Sequence, residues 1–150
     1  MAGQPAPTVL AFDYGLKRIG VAVGNTLTST AEGLRTIPAR QGEPDWGELD
    51  RCIADWRPGV LVVGVPYNMD GSAGSLTERA RSFATALASR SGLAVETVDE
   101  RLSSREAEAT LRQKRRDGTL ARRIRREDID MEAASVLLQQ WLGGARVDGR

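Results

Sequence analysis

The stretch VLAFDYGLKRIGVAV, Val9 to Val23, decides the fold. An apolar run from Val9 to Phe12 ends at Asp13, Tyr14-Gly15 turns the chain, and a second apolar run resumes at Ile19. Two such runs around a short glycine-bearing connection predict a hairpin of buried strands with a carboxylate at its head. A third strand is expected around Gly33 to Pro38. Asp45 to Trp56 then repeats apolar residues at Trp46, Leu49, Ile53 and Trp56, which is helical spacing, and Pro58-Gly59 stops it. Val60 to Val65 is a continuous β-branched run, the signature of a central parallel strand covered on both faces. Leu76 to Ser89 reads as a helix with Leu76, Ala80, Phe83, Ala84 and Leu87 on one stripe, ended at Ser91-Gly92, and Ala94 to Asp99 supplies a further strand. Ser103 and Glu106 form a capping box opening a helix towards Leu111, and Asp128 is expected to cap a last helix whose apolar face is Ala133, Ala134, Leu137, Leu138 and Trp141. A hairpin followed by alternating helices and strands predicts an α/β fold with a mixed sheet flanked by helices.

A chain of 150 residues supports one core, so residues 1–150 are read as a single domain, with residues 1–8 and 143–150 as flexible tails. With 41% hydrophobic and 27% charged residues, the composition is that of a folded protein. One cysteine, Cys52, excludes an internal disulfide framework, and the absence of histidine removes the usual zinc ligands and the base of serine-type triads. Chemistry is left to carboxylates, hydroxyls, Lys and Arg. No apolar run approaches the roughly 18 to 20 residues that span a bilayer, and MAGQPAPT lacks the regions of a signal peptide, so a cytoplasmic protein without a membrane partner is expected. The net charge of +1 hides an asymmetry, because Arg101 to Glu127 carries ten basic and four acidic residues. Residues 112–127 read as a mobile basic loop, either a solvated face or a footprint for a phosphate backbone.

Three acids stand out. Asp13 ends an apolar strand, where a carboxylate needs a cation or hydrogen-bond donors, and it is either a turn aspartate ahead of Gly15 or a metal ligand. Strand AVETVDE ends in Asp99 and Glu100, which alternation sends to opposite faces, so one of the two can face a given site and the local sequence leaves the choice open. Asp130, in the first turn of the last helix, lies three and four residues before Ala133 and Ala134 and shares their inward stripe, although a helix N-terminus also favours acids for its dipole alone. The loop PYNMDGSAGS, with Asn68 and Ser72, could cradle a phosphate, but it lacks the G-x-x-x-x-G-K-[ST] pattern and Asp70-Gly71 is also an ordinary turn.

Together, FDYGLKRIGVAVGN (12–25), VVGVPYNMDGS (62–72), VDERLSSREAEATL (98–111) and DMEAASVLLQQWL (130–142) closely resemble the YqgF/RuvX family. The resemblance implies an RNase H-like fold, a five-stranded mixed sheet whose first three strands are antiparallel, related to Holliday junction resolvases. It implies a nuclease of pre-16S rRNA in ribosome maturation, with Asp13, Glu100 and Asp130 as the catalytic acids, which selects Glu100 over Asp99. One departure is Asn25, where the family usually carries an acid just after the second strand.

Carboxylate oxygens suit Mg²⁺ or Mn²⁺, and two such ions about 4 Å apart can activate water and stabilise a leaving alkoxide. Asp13 is expected to bridge both ions, with Glu100 and Asp130 each completing one. Lys17, Arg18, Asn68, Ser72, Arg101, Arg115, Arg116, Arg122 and Arg123 are candidate contacts to a nucleic-acid partner, precursor rRNA or branched DNA. The rival readings are a Holliday junction resolvase, an actin-like phosphotransferase, for which the chain is too short to form two lobes, and a non-catalytic nucleic-acid-binding module. Trp46, Trp56 and Trp141 are expected in the core, with an interface between copies as the alternative, so the protein is a monomer or a homodimer.

Overall fold

A computed structural model describes residues 6–67, 73–99, 113 and 125–144. The leading apolar runs form the expected hairpin, β1 (Thr8–Asp13) and β2 (Arg18–Asn25), paired antiparallel so that Asp13 faces Gly20. Strand β3 (Thr30–Arg40) extends the antiparallel sheet, with a bulge opposite Val21 and Ala22, and turns through Gln41-Gly42 into a two-residue strand β4 (Glu43–Pro44). Strands β5 (Val60–Val65) and β6 (Ala94–Asp99) add in parallel on the other side of β1. The order is β4-β3-β2-β1-β5-β6, so the sheet has six strands where five were expected, the extra one being the short β4. A glutamine-glycine turn is a weaker hairpin signal than Asn-Gly, because Gln41 must itself adopt a left-handed φ of 52°.

Helices α1 (Trp46–Trp56) and α2 (Ser75–Ser91) belong to the core on one face, which gathers Leu10, Phe12, Ile19, Leu61 and Val63 from the strands with Leu49, Phe83 and Leu87 from the helices. Asp45 caps α1 by accepting from the Glu48 N–H at 3.1 Å, and Gly92 ends α2 at a left-handed φ of 72°. Cys52 is buried here, and that burial pushes its thiol up against the lowering field of Arg35, so it remains the neutral thiol and an inert core residue. Trp46 packs on this core against Phe83 and Trp141 is buried on the other side, but Trp56 is 43% exposed at the end of α1, contrary to the expectation of core packing.

Helix α3 (Arg126–Leu142) covers the opposite face and crosses β1, β2 and β3. The sheet residues beneath it are small. Val9 and Ala11 come from β1, and Gly20, Ala22 and Gly24 alternate along β2. A Cβ added at Gly20 would fall on the Asp130 carbonyl oxygen, and one at Gly24 would lie 2.7 Å from Leu138 Cδ2. The glycines thus let the helix settle onto the sheet at a distance no side chain would permit. α3 also begins earlier than its sequence suggested. Arg125 is the N-cap and Asp128 is the third helical residue, accepting the Arg125 N–H at 2.8 Å, because this reciprocal bond lets an acid cap from inside the first turn. Arg126 and Glu127, placed in the basic loop by sequence, are therefore helical, as is Gln113. Pro7 and Thr8, read as tail, are tied in by bonds to their carbonyls from the Thr26 and Gly59 N–H groups. The expected helix opening at Ser103 lies outside the described residues.

Gly20→Ala should destabilise the protein by about 2 to 3 kcal/mol, because the added methyl must lift α3 from β2. A urea midpoint indistinguishable from wild type would show that the helix does not rest there.

Candidate active site

Asp13 is the last residue of β1 and lies between Gly20 on β2 and Gly64 on β5. Val9 and Ala11 face α3, so alternation directs Asp13 to that face as well, half-buried and with glycine as its direct partner on each neighbouring strand. The position is at the carboxyl ends of the parallel strands β1, β5 and β6, where open α/β sheets present their ligand sites.

Asp130 reaches the same place from above. Its main-chain carbonyl is seated over Gly20, whose strand partner is Asp13, and antiparallel partners lie about 5 Å apart. With Arg125 as cap, Asp130 is the fifth helical residue and stands in the second turn, not the first. Its carboxylate is engaged: Arg18 Nε donates to Asp130 Oδ2 at 2.6 Å, with both side chains about a quarter exposed. Arg18, expected at a substrate phosphate, thus has an internal partner 112 residues away in sequence.

The third acid, Glu100, lies outside the described residues, as do Asn68, Ser72, Arg101, Arg115, Arg116, Arg122 and Arg123. The strand leading to it is described. Glu96 accepts from the Trp141 indole at 2.9 Å and Val98 packs in the core under α3, so both face the helix and Asp99 alternates to the other side. Among the described residues no three His, Cys, Asp or Glu side chains form a metal-binding group; Asp13 pairs with Gly20 and Asp130 rests on it. Lys17 is exposed in the β1–β2 connection.

Two residues that frame the site escaped the sequence reading. Tyr14, next to Asp13, turns into the opposite core and donates its hydroxyl to the Gly42 carbonyl at 2.6 Å. The Gly42 N–H donates to Leu16 O and the Ala39 N–H to Lys17 O, both at 2.9 Å, so the β3–β4 hairpin clamps the connection that follows Asp13. Gly15 is needed within it, since a Cβ there would lie 2.5 Å from the Arg18 carbonyl oxygen. From sequence Tyr14 reads only as part of the Tyr14-Gly15 turn, and its hydroxyl is the one sign of a partner. Thr77 is the second: buried in α2, it accepts from the Gly74 N–H at 2.9 Å and donates to Pro66 O, tying the end of β5 to the start of α2. A groove of about 700 Å³ lined by Tyr14, Gly42, Trp46, Arg79, Phe83 and Arg90 lies on the α1 and α2 side.

Comparison with known proteins gives a consistent result. The sequence model of a family described as RuvX, Holliday junction resolvase, matches residues 7–144. A protein of Histophilus somni (strain 2336) named "Putative pre-16S rRNA nuclease" is 45% identical over 134 residues, covering 89% of this chain and 92% of that one. A protein of the same name from Coxiella burnetii (strain Dugway 5J108-111) is 47% identical over 133 residues, covering 89% and 90%. Among solved structures, Thermus thermophilus RuvC in complex with a Holliday junction substrate has a TM-score of 0.53 at 16% identity, over 93% of this chain and 97% of that one. The Fowlpox virus resolvase in complex with Holliday junction DNA has a TM-score of 0.57 at 13% identity, over 91% and 97%. The fold is thus RNase H-like and resolvase-like.

Tyr14→Phe removes one donor and leaves the Gly42 carbonyl without it. The expected loss is about 1 kcal/mol of stability in urea denaturation, and no loss would mean that the clamp is carried by the main-chain bonds alone.

Proposed function

The chain belongs to the RuvX family, and from that membership we propose that it is a divalent-metal-dependent nuclease whose substrate is the precursor of 16S rRNA. The observation that carries the reading is the convergence of Asp13 and Asp130 over Gly20. Two carboxylates approach from different elements, one fixed by two strand ladders and the other by a helix that cannot shift without unseating its carbonyl. Glu100 is the third member of the proposal, supported by the alternation of Glu96 and Val98 onto the same face. The relatives' names support rRNA as the substrate.

The residues fit Mg²⁺ or Mn²⁺. Every candidate ligand is a hard oxygen, and the chain has no histidine. Metal held by Asp13, Glu100 and Asp130 would acidify the attacking water and stabilise the leaving alkoxide. The protein's own part is positioning and charge. The clamp through Tyr14 and Gly42 fixes the connection that presents Lys17 beside the acids, where its ammonium can hold the neighbouring phosphate. Arg101, Arg115, Arg116, Arg122 and Arg123 would neutralise more of the backbone, and Asn68 and Ser72 would contact it from the loop before α2. Phosphate contacts of this kind orient a strand without reading its sequence.

A second substrate, branched DNA, is favoured by the family's description and by the junction complexes among the fold relatives. The two are separated by assaying a labelled precursor 16S rRNA fragment and a four-way DNA junction side by side, with Mg²⁺, Mn²⁺ or excess EDTA. Cleavage of the RNA should require metal, and Asp13→Asn and Asp130→Asn should each reduce it by about 100-fold or more while near-UV circular dichroism stays that of wild type. Cutting that persists in either folded variant would remove these acids from the site. Faster metal-dependent cutting of the junction than of the RNA would favour the resolvase reading.

A further inference from the structure

Arg18 opens β2, and the same alternation that turns Gly20, Ala22 and Gly24 towards α3 turns Arg18 towards it. Its main chain is held by pairing with Pro38 on β3. The side chain leaves the sheet just past the Asp13 to Gly20 pair and places Nε on Asp130 Oδ2 at 2.6 Å. Of the two partners Asp130 is the immobile one, because its carbonyl rests on Gly20 and its helix cannot retreat without losing that seat. Arg18 is joined to its anchored main chain by a long flexible stem and is partly exposed.

A carboxylate oxygen that accepts a guanidinium N–H at this distance has that lone pair and that space occupied. A hard divalent cation binds carboxylate oxygens at about 2.1 Å, and at either oxygen of Asp130 it would draw on the same negative charge with a guanidinium only a few ångström away, positive charge against positive charge. We propose that Arg18 and the divalent metal compete for Asp130, so that Arg18 serves as an internal cation that must release the carboxylate before the metal site is complete. The inference rests on the carboxylates being the metal site proposed above. Released, the guanidinium is free to take a phosphate oxygen of the bound strand, and linkage then makes substrate and metal help one another: whatever draws Arg18 off Asp130 raises metal affinity. Arg18 is in this sense a positioning residue, acting on the metal through Asp130.

The test is direct Mn²⁺ binding to the full chain without nucleic acid, followed by calorimetry and by the electron paramagnetic resonance signal of free Mn²⁺. Arg18→Gln should bind Mn²⁺ about tenfold more tightly than wild type, the factor that corresponds to one charge-assisted hydrogen bond no longer broken on loading. It should also melt at a lower temperature than wild type without metal and recover more of that difference when Mn²⁺ is added. Lys17→Gln removes the same unit of charge one residue away and should change affinity by less than about threefold, since an exposed ammonium is screened by solvent and Arg18 is the residue bonded to Asp130. Arg18→Lys, which keeps the charge and loses the planar donor, should lie between and answers the question if Arg18→Gln does not fold. Unchanged or weaker binding in a folded Arg18→Gln, with wild type binding Mn²⁺ and Asp130→Asn losing it, overturns the competition while leaving the metal site intact. Equal tightening in Lys17→Gln overturns it too, in favour of a general field. If neither wild type nor Arg18→Gln binds Mn²⁺, the metal-dependent function itself fails and the inference with it.

Discussion

The approach of α3 to β2 is the constraint on which the site depends. A helix normally stands off a sheet by the depth of two side-chain layers, but here Gly20 contributes none, and the Asp130 carbonyl occupies the place of its missing Cβ. That contact sets the helix height and its rotation together, and rotation decides where the Asp130 carboxylate goes. Gly24 under Leu138 and Gly33 under Met131 repeat the allowance along the helix, so α3 is seated at three glycines on two strands. Close packing of this kind is stiff, since interiors offer little slack for a shift of even one methyl group. The precision that the proposed metal-binding pair would require is therefore supplied by steric contact at glycines, some of it about two turns from Asp130.

The same geometry creates an electrostatic problem. Bringing Asp130 down beside Asp13 places two carboxylates at one point of a half-buried surface, and charges so placed need a counter-charge. Arg18 supplies one for Asp130 from within the chain. The fold on its own is thus not left with that carboxylate uncompensated. The opposite face has no comparable tension. Its groove is lined by groups already engaged with one another: Arg90 lies over the Trp46 ring and bonds Asp50, Trp46 bonds Glu43, and Arg79 bonds the Gln41 carbonyl. These contacts hold the hairpin that in turn holds the connection after Asp13.

Most of the architecture was legible because it is written in local patterns. The VLVVGV run, the helix end at Ser91-Gly92 and the AVETVD strand each declare themselves over a few residues, and all appear with the expected ends. Asp13 was legible as a carboxylate at the end of a buried strand. What could not be read is what depends on distant contact. β4 exists because Gln41-Gly42 folds back against Leu16 and Tyr14, and two residues carry no period. The start of α3 moved from Asp128 to Arg125 because a reciprocal cap at the third helical position looks, in sequence, like a cap at the first. Trp56 was assigned to the core from its spacing with Ile53, but the helix ends there and leaves it at the surface. The pairing of Arg18 with Asp130 spans 112 residues and has no local signature at all.

The central claim is that Asp13 and Asp130 jointly hold the metal, and a crystal structure of the wild-type protein grown or soaked with Mn²⁺ tests it most directly. The account predicts an anomalous peak within coordination distance, about 2.1 to 2.2 Å, of carboxylate oxygens from both Asp13 and Asp130, with Arg18 Nε withdrawn from Asp130 Oδ2. A peak coordinated elsewhere, or none near this pair while Arg18 keeps its bond to Asp130 at saturating Mn²⁺, would contradict it.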